Sequence, residues 1–290
     1  MSTAEPPAIV PLAPHQGGAE PLSSNEPEAQ AKALASTIAL TLTTYEAGEG
    51  VADIATRLEP AAGAKASGLA GTLHVPGSWS RGRIIYPQLG GLTPGRSSVM
   101  VVVEQLVGTP EGVRGEIRTL DIRLARSEGG AWQFEALASA GGQRIVPPGA
   151  LSHAALSVLN DPRIELPDSA RWDIFRGGIS SNLLKIMARM AEETDYGVVT
   201  LMSGHPREVF GTDRLSDHTR GRAVDVYRLG DRLVIDDRHE GSGTKAFVEW
   251  LYDQPEVVRI GSPWALDGFG GRSFTDALHQ DHLHIAVVPD

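Results

Sequence analysis

The stretch SDHTRGRAVDV, residues 216–226, sets His218 and Asp225 seven residues apart with Arg220, Gly221 and Arg222 between them. Asp225 is flanked by Ala223, Val224 and Val226, so it reads as a carboxylate inside an apolar strand, while His218 ends the loop before it. A charge in such a strand is costly to bury unless something compensates it. A divalent metal ion would do so; an ion pair with His218 that pins the loop to the strand is the plainer alternative.

The end of the chain decides between them. DHLHIAV, residues 281–287, adds His282 and His284. Period-two alternation places these two on the same face of a strand, so either can join His218 and Asp225 as a third ligand. Three protein ligands with one position left for water is the pattern of a catalytic zinc site. Hydrolysis there also needs a base that passes a proton to the leaving amine, and Asp281 is the candidate, provided the strand begins at about His282. Ser216 lacks the separately oriented base and third group that a serine nucleophile needs, and fits better as a hydrogen-bond partner that orients His218. His205, His239 and His279 read as surface histidines.

Working outward, residues 175–290 predict a small α+β domain. A helix carries Ile179, Leu183, Met187 and Met190 as one apolar stripe, with Ser180 or Ser181 at its start. Strands follow at YGVVTLMSG, GRAVDVYRL, EVVRIGSP and HLHIAVV, with a helix at TKAFVEWLYDQ. The glycine-rich LDGFGGRSF reads as a lid or substrate wall, and Trp250, Tyr252, Trp264 and Phe269 as core or cleft lining.

Ser216, His218 and Asp225, followed by Asp281, His282 and His284, resemble the two-part motif of the LAS zinc peptidases. That group includes D-alanyl-D-alanine carboxypeptidases, dipeptidases, peptidoglycan endopeptidases and the hedgehog signalling domain. The resemblance covers about residues 175–290. It implies that His218, Asp225 and His284 ligate Zn2+, that Asp281 is the general base, and that His282 orients or stabilises the transition state. It further implies hydrolysis of peptidoglycan stem peptides and an extracytoplasmic place, secreted or envelope-associated. The hedgehog member carries the alternative of a non-catalytic, zinc-stabilised binding module. Two departures stand out. The family's S-G-Y-R element appears here as SGHPRE, which leaves Arg207, or alternatively Arg214, to meet the substrate. The base is Asp where many members have Glu, and the loop from Ser203 to Ser216 is short.

Composition sets the outer bounds. Net charge is −10, which argues against nucleic acid as a partner, because phosphate binding needs a basic face. Zero cysteines leaves His, Asp and Glu as the metal ligands. No apolar run reaches the roughly 18 residues of a membrane span, and the N-terminus lacks the basic and apolar regions of a signal peptide.

The 290 residues favour two domains. Residues 1–29, rich in Pro, Ser, Gly, Ala and Glu, read as a disordered arm. From residue 30, Leu34, Ile38 and Leu42 recur at helical spacing, and a second helix at GVADIATRL is expected to end before Pro60. Four β-rich runs follow up to about residue 143, with alternation in Ile117, Leu120, Ile122 and Leu124 and a hairpin signal at SEGGAW. Helix followed by curved antiparallel sheet, over residues 30–145, resembles the cystatin-like or nuclear-transport-factor-like cone. That resemblance leaves a protein or ligand partner open for this half. Residues 146–174, interrupted by prolines, read as a linker.

Overall fold

The computed structural model describes residues 17–268 and 270–290. Most of the expected arm, residues 1–16, and Phe269 lie outside the described residues. Among the described residues the fold is α+β, with one five-stranded and one seven-stranded sheet. It divides into two compact units, one holding residues 17–142 and 204–214, the other residues 143–203 and 215–290.

The first unit contains β1 (Gly18–Ala19), α1 (Ala29–Thr43), α2 (Val51–Ala62), α3 (Ala66–Leu69), β2 (Trp79–Thr93), β3 (Arg96–Thr109), β4 (Gly112–Ala125) and β5 (Gln133–Ser139). The strands lie in chain order, β1 parallel to β2 and the rest antiparallel. Residues 17–29 are therefore not a loose arm: they supply an edge strand. Glu26, just before α1, accepts hydrogen bonds from Tyr86 and pairs with the fully buried Lys32. Ala31, Ala35, Ile38, Ala39 and Leu42 form the buried face of α1, where small side chains let the helix lie close to the sheet.

Leu120, Ile122 and Leu124 are all buried, as alternation requires. Ile117, an odd number among even ones, is out of phase with them and only half-buried. The other face of the strand carries Asp121, whose carboxylate accepts a 2.6 Å hydrogen bond from Ser98 and pairs with Arg123 at 3.2 Å. Arg123 in turn lies 6.0 Å from the ring centre of Phe210, on the segment 204–214 that belongs to this unit. The helix expected to stop before Pro60 continues to Ala62. Pro60 sits in its last turn, where its missing N–H costs a single hydrogen bond.

The second unit contains α4 (His153–Leu159), β6 (Ile164–Glu165), α5 (Asp168–Phe175), α6 (Ser181–Glu193), β7 (Tyr196–Thr200), β8 (Ala223–Leu229), β9 (Arg232–Leu233), α7 (Gly243–Tyr252), β10 (Val257–Gly261), β11 (Ser273–Phe274) and β12 (Leu283–Val287). The strand order is β11-β10-β12-β8-β7-β6, with β9 on β8; the central strands are antiparallel and both edge pairs parallel. Ile179, Leu183, Met187 and Met190 enter the core together, and the Ser180 hydroxyl caps α6 by accepting from the Leu183 N–H at 3.3 Å.

Residues 146–174, expected as a linker, do more than connect. Ala155, Val158, Leu159, Ile164, Leu166, Ala170 and Ile174 belong to the same buried core as α6 and β8. The prolines cut this stretch into elements too short to show a period, which hides the burial from a sequence reading.

Candidate metal centre

The turn that opens the site is built by Gly221. Its φ of +68° is a left-handed conformation, and a Cβ there would lie 1.9 Å from the Gly178 carbonyl oxygen. The bend lets the Gly221 N–H donate to the His218 carbonyl at 2.9 Å. Asp217 then gathers the two arginines of the opening stretch: its carboxylate meets Arg222 at 3.1 Å and Arg220 at 3.5 Å, and also Arg259 of β10 at 3.1 Å. These arginines fix the backbone around His218; they are not part of the ligand set. Gly221→Ala should destabilise the protein by roughly 2–4 kcal/mol, since it combines a positive φ with a backbone clash. Urea unfolding of the metal-free protein measures this, and a change under 0.5 kcal/mol would contradict it.

After the turn, β8 carries Asp225 directly opposite His284 of β12 in the antiparallel register, so both side chains rise from the same face. His218 reaches the same point from the loop. His218 Nε2 lies 3.1 Å from Asp225 Oδ1 and 3.1 Å from His284 Nδ1, and His284 Nδ1 lies 3.0 Å from Asp225 Oδ1. His218 and Asp225 are buried, and the His284 side chain is 12% exposed.

The chemistry of these three atoms suits a cation. His218 Nδ1 is 2.7 Å from the Leu201 carbonyl oxygen, which can only accept, so Nδ1 carries a hydrogen; on metal binding Nε2 would give up any proton of its own and present a lone pair. That lone pair faces a carboxylate oxygen and a second imidazole nitrogen. Three donor atoms with metal bonds of about 2.0–2.1 Å in a tetrahedron stand roughly 3.3 Å apart, close to the observed triangle. His218 and Asp225 are also the two buried members of a group of three side chains that can hold a metal ion, with ligand atoms within 4.8 Å of one another; His284 is not the third member of that group.

Electrostatics agree with this arrangement. Burial alone would raise the Asp225 carboxyl, but the charges of His218 and His282 and hydrogen bonds from His218 and His284 outweigh it and hold the group well below its ordinary range. Burial pushes His284 down to about 4, against the pull of Asp225. In the metal-free protein His284 is thus neutral at pH 7, as a ligand must be. A folded-state value below the unfolded value means that stability is present above about pH 6.5 and is lost as pH falls toward 4. The urea midpoint of the metal-free protein should fall across that window, and a flat profile between pH 7 and pH 4.5 would contradict the assignment.

Asp281 and His282 precede β12, which begins at Leu283, so strand alternation does not govern them. Asp281 Oδ1 accepts from His282 Nδ1 at 2.6 Å, and both residues are buried. The two expected catalytic residues therefore form one pair. His279, expected at the surface, is 9% exposed. Its ring lies against Gly261, where a Cβ would sit 2.5 Å from Cδ2, and its centre is 5.8 Å from that of His284. Its Nδ1 meets Asp276 Oδ1 at 2.8 Å; burial raises the Asp276 carboxyl, yet the hydrogen bond and charge of His279 bring it down to about 2. Gly261 pairs with His284 across β10 and β12, which explains the room for this ring beside the site.

Ser216 meets His218 at its backbone. Its Oγ accepts from the His218 backbone N–H at 3.2 Å, and the Leu201 carbonyl holds the ring instead. A backbone carbonyl leaves no trace in sequence, so that partner was illegible. Arg207 lies on the segment 204–214; its side chain is 76% exposed and stands 3.6 Å from Glu208. Arg214 is exposed as well. His205, on the same segment, is half-buried, with Nδ1 2.7 Å from the Pro206 carbonyl oxygen. His239 is an exposed partner of Asp237, as expected. No protein-family model matches this chain, and no curated protein matches it.

Proposed function

We propose that this protein is a zinc-dependent peptidase that hydrolyses peptide bonds in bacterial peptidoglycan stem peptides, as a D-Ala-D-Ala carboxypeptidase or an endopeptidase. The observation that carries the reading is the triangle of His218 Nε2, Asp225 Oδ1 and His284 Nδ1, 3.0–3.1 Å on each edge. The order and spacing of the two motifs, which resemble those of the LAS peptidases, support the substrate class and an extracytoplasmic place of action.

His218, Asp225 and His284 would hold the ion. Zinc, when bound, polarises the scissile carbonyl and lowers the pKa of a water molecule. Asp281 and His282 act as one proton-handling unit. The carboxylate keeps the hydrogen on His282 Nδ1 and stabilises the ring when it takes from the attacking water a second proton, which it then passes to the leaving amine. Arg207 is the proposed contact for a substrate carboxylate or the developing oxyanion, as the resemblance to the LAS peptidases suggests.

Metal analysis of the purified protein, coupled to mass-spectrometric reading of digested peptidoglycan, tests this. One equivalent of zinc and a new stem-peptide product are expected. Stoichiometric zinc with no release of amines between pH 6 and 9 would replace the proposal with a zinc-stabilised binding module of the envelope.

A further inference from the structure

We infer that Asp173 is a positioning residue of the metal centre: it fixes the backbone that follows β7 so that the Leu201 carbonyl meets His218 and turns its Nε2 into the ligand triangle. This rests on the reading of that triangle as a metal site.

Asp173 lies on α5, within the stretch that sequence assigned to a linker, and is 3% exposed. Its two carboxylate oxygens take three hydrogen bonds from two consecutive residues. Oδ2 accepts from the Met202 N–H at 3.0 Å and the Ser203 N–H at 2.7 Å, and Oδ1 accepts from the Ser203 hydroxyl at 2.6 Å. Thr200 closes the bend by donating from Oγ1 to the Ser203 carbonyl at 3.0 Å. Leu201 stands between these anchors, and its carbonyl receives His218 Nδ1–H at 2.7 Å. The peptide that orients the first ligand is thus clamped on both sides, on one of them by a carboxylate from a different helix.

Burial raises the Asp173 carboxyl, the hydrogen bonds from Ser203 and Met202 pull against that rise, and the ionised form is suited to this task. It offers acceptor capacity only, and three converging donors match it. Asparagine in its place is the milder change, because its oxygen can take both N–H groups while its NH2 donates to the Ser203 hydroxyl; alanine removes the acceptor of all three donors, so the bend must open. The Leu201 carbonyl would then shift from the imidazole, and the ring would lose the contact that sets both its orientation and its tautomer.

Removing a partner that orients a metal ligand commonly lowers metal affinity by about 10–100-fold. The test measures zinc affinity by competition with a chelator, and the visible spectrum of the cobalt-substituted protein, for the parent, D173A, S203A and the control I174V. The control trims a core side chain on the same helix. D173A is expected to bind zinc at least about 10-fold more weakly and to alter the cobalt spectrum, while I174V moves neither. Parent-like affinity and spectrum in folded D173A would overturn the assignment. Should D173A fail to fold, S203A, which removes only the hydroxyl donor, decides: a loss of zinc affinity of about threefold or more supports the role and an unchanged value overturns it. A parent that takes up no zinc would instead overturn the metal reading itself.

Discussion

Replacement of His218 by alanine is expected to remove the metal and the proposed peptidase activity together. Structural zinc sites with four ligands contribute about 10–16 kcal/mol at neutral pH, so one ligand accounts for roughly 3 kcal/mol, or more than about 100-fold in affinity. The loss here should be at the upper end, because two things disappear at once. The ion loses a nitrogen whose direction is fixed by the Leu201 carbonyl, and Asp225 keeps only His284 as a neighbour within the triangle. A buried carboxylate stripped of compensation is itself costly, so the metal-free variant should also unfold at lower urea than the metal-free parent. Zinc content after dialysis and the urea midpoint are the two measurements. One full equivalent of zinc in the His218→Ala protein would remove His218 from the ligand set.

Replacement of Asp281 by alanine should have the opposite signature, with zinc retained and turnover reduced by about 10²–10⁴-fold, the range that general acid–base groups contribute. The reason is local. Asp281 reaches His282 at 2.6 Å and forms no edge of the ligand triangle. Without it the His282 ring can adopt either tautomer, and its protonated form loses its closest anion. His282→Ala should cost about as much, and the double variant little more, because the two side chains work as a unit and such effects are not additive. The buried N–H left by Asp281→Ala also carries a stability penalty of about 1–3 kcal/mol, so rates are to be compared well below the unfolding temperature. Parent-like turnover in Asp281→Ala would refute the assigned role.

Much of this centre is written in the sequence, and the exceptions share a cause. His218, Asp225 and His284 were legible because each is a chemically costly residue in a setting, apolar strand or loop end, that demands compensation. α6 and β8 were legible because their periods run long enough to register. Leu201, Asp173 and Gly261 were not, since their contributions are a carbonyl direction, a long-range clamp and an absent side chain. Asp281 and His282 were identified as a site but assigned separate roles; the 2.6 Å bond between neighbours appears only once the start of β12 is known. The linker was misread for want of periodicity, as burial in α4, β6 and α5 comes in pieces of two to eight residues.

The segment 204–214 gives the molecule an interrupted layout. It is grouped with the first unit, yet the residues on both sides of it belong to the second. Neither unit is thus a contiguous stretch of gene, and a fragment cut at residue 175 would discard α4, β6 and most of α5 and carry Phe210 away from the arginine it lies over. During synthesis the N-terminal sheet emerges first and waits for a piece of chain that arrives only after β7 is made. A fragment meant to keep the core behind the metal centre whole should therefore begin before α4, at about residue 143.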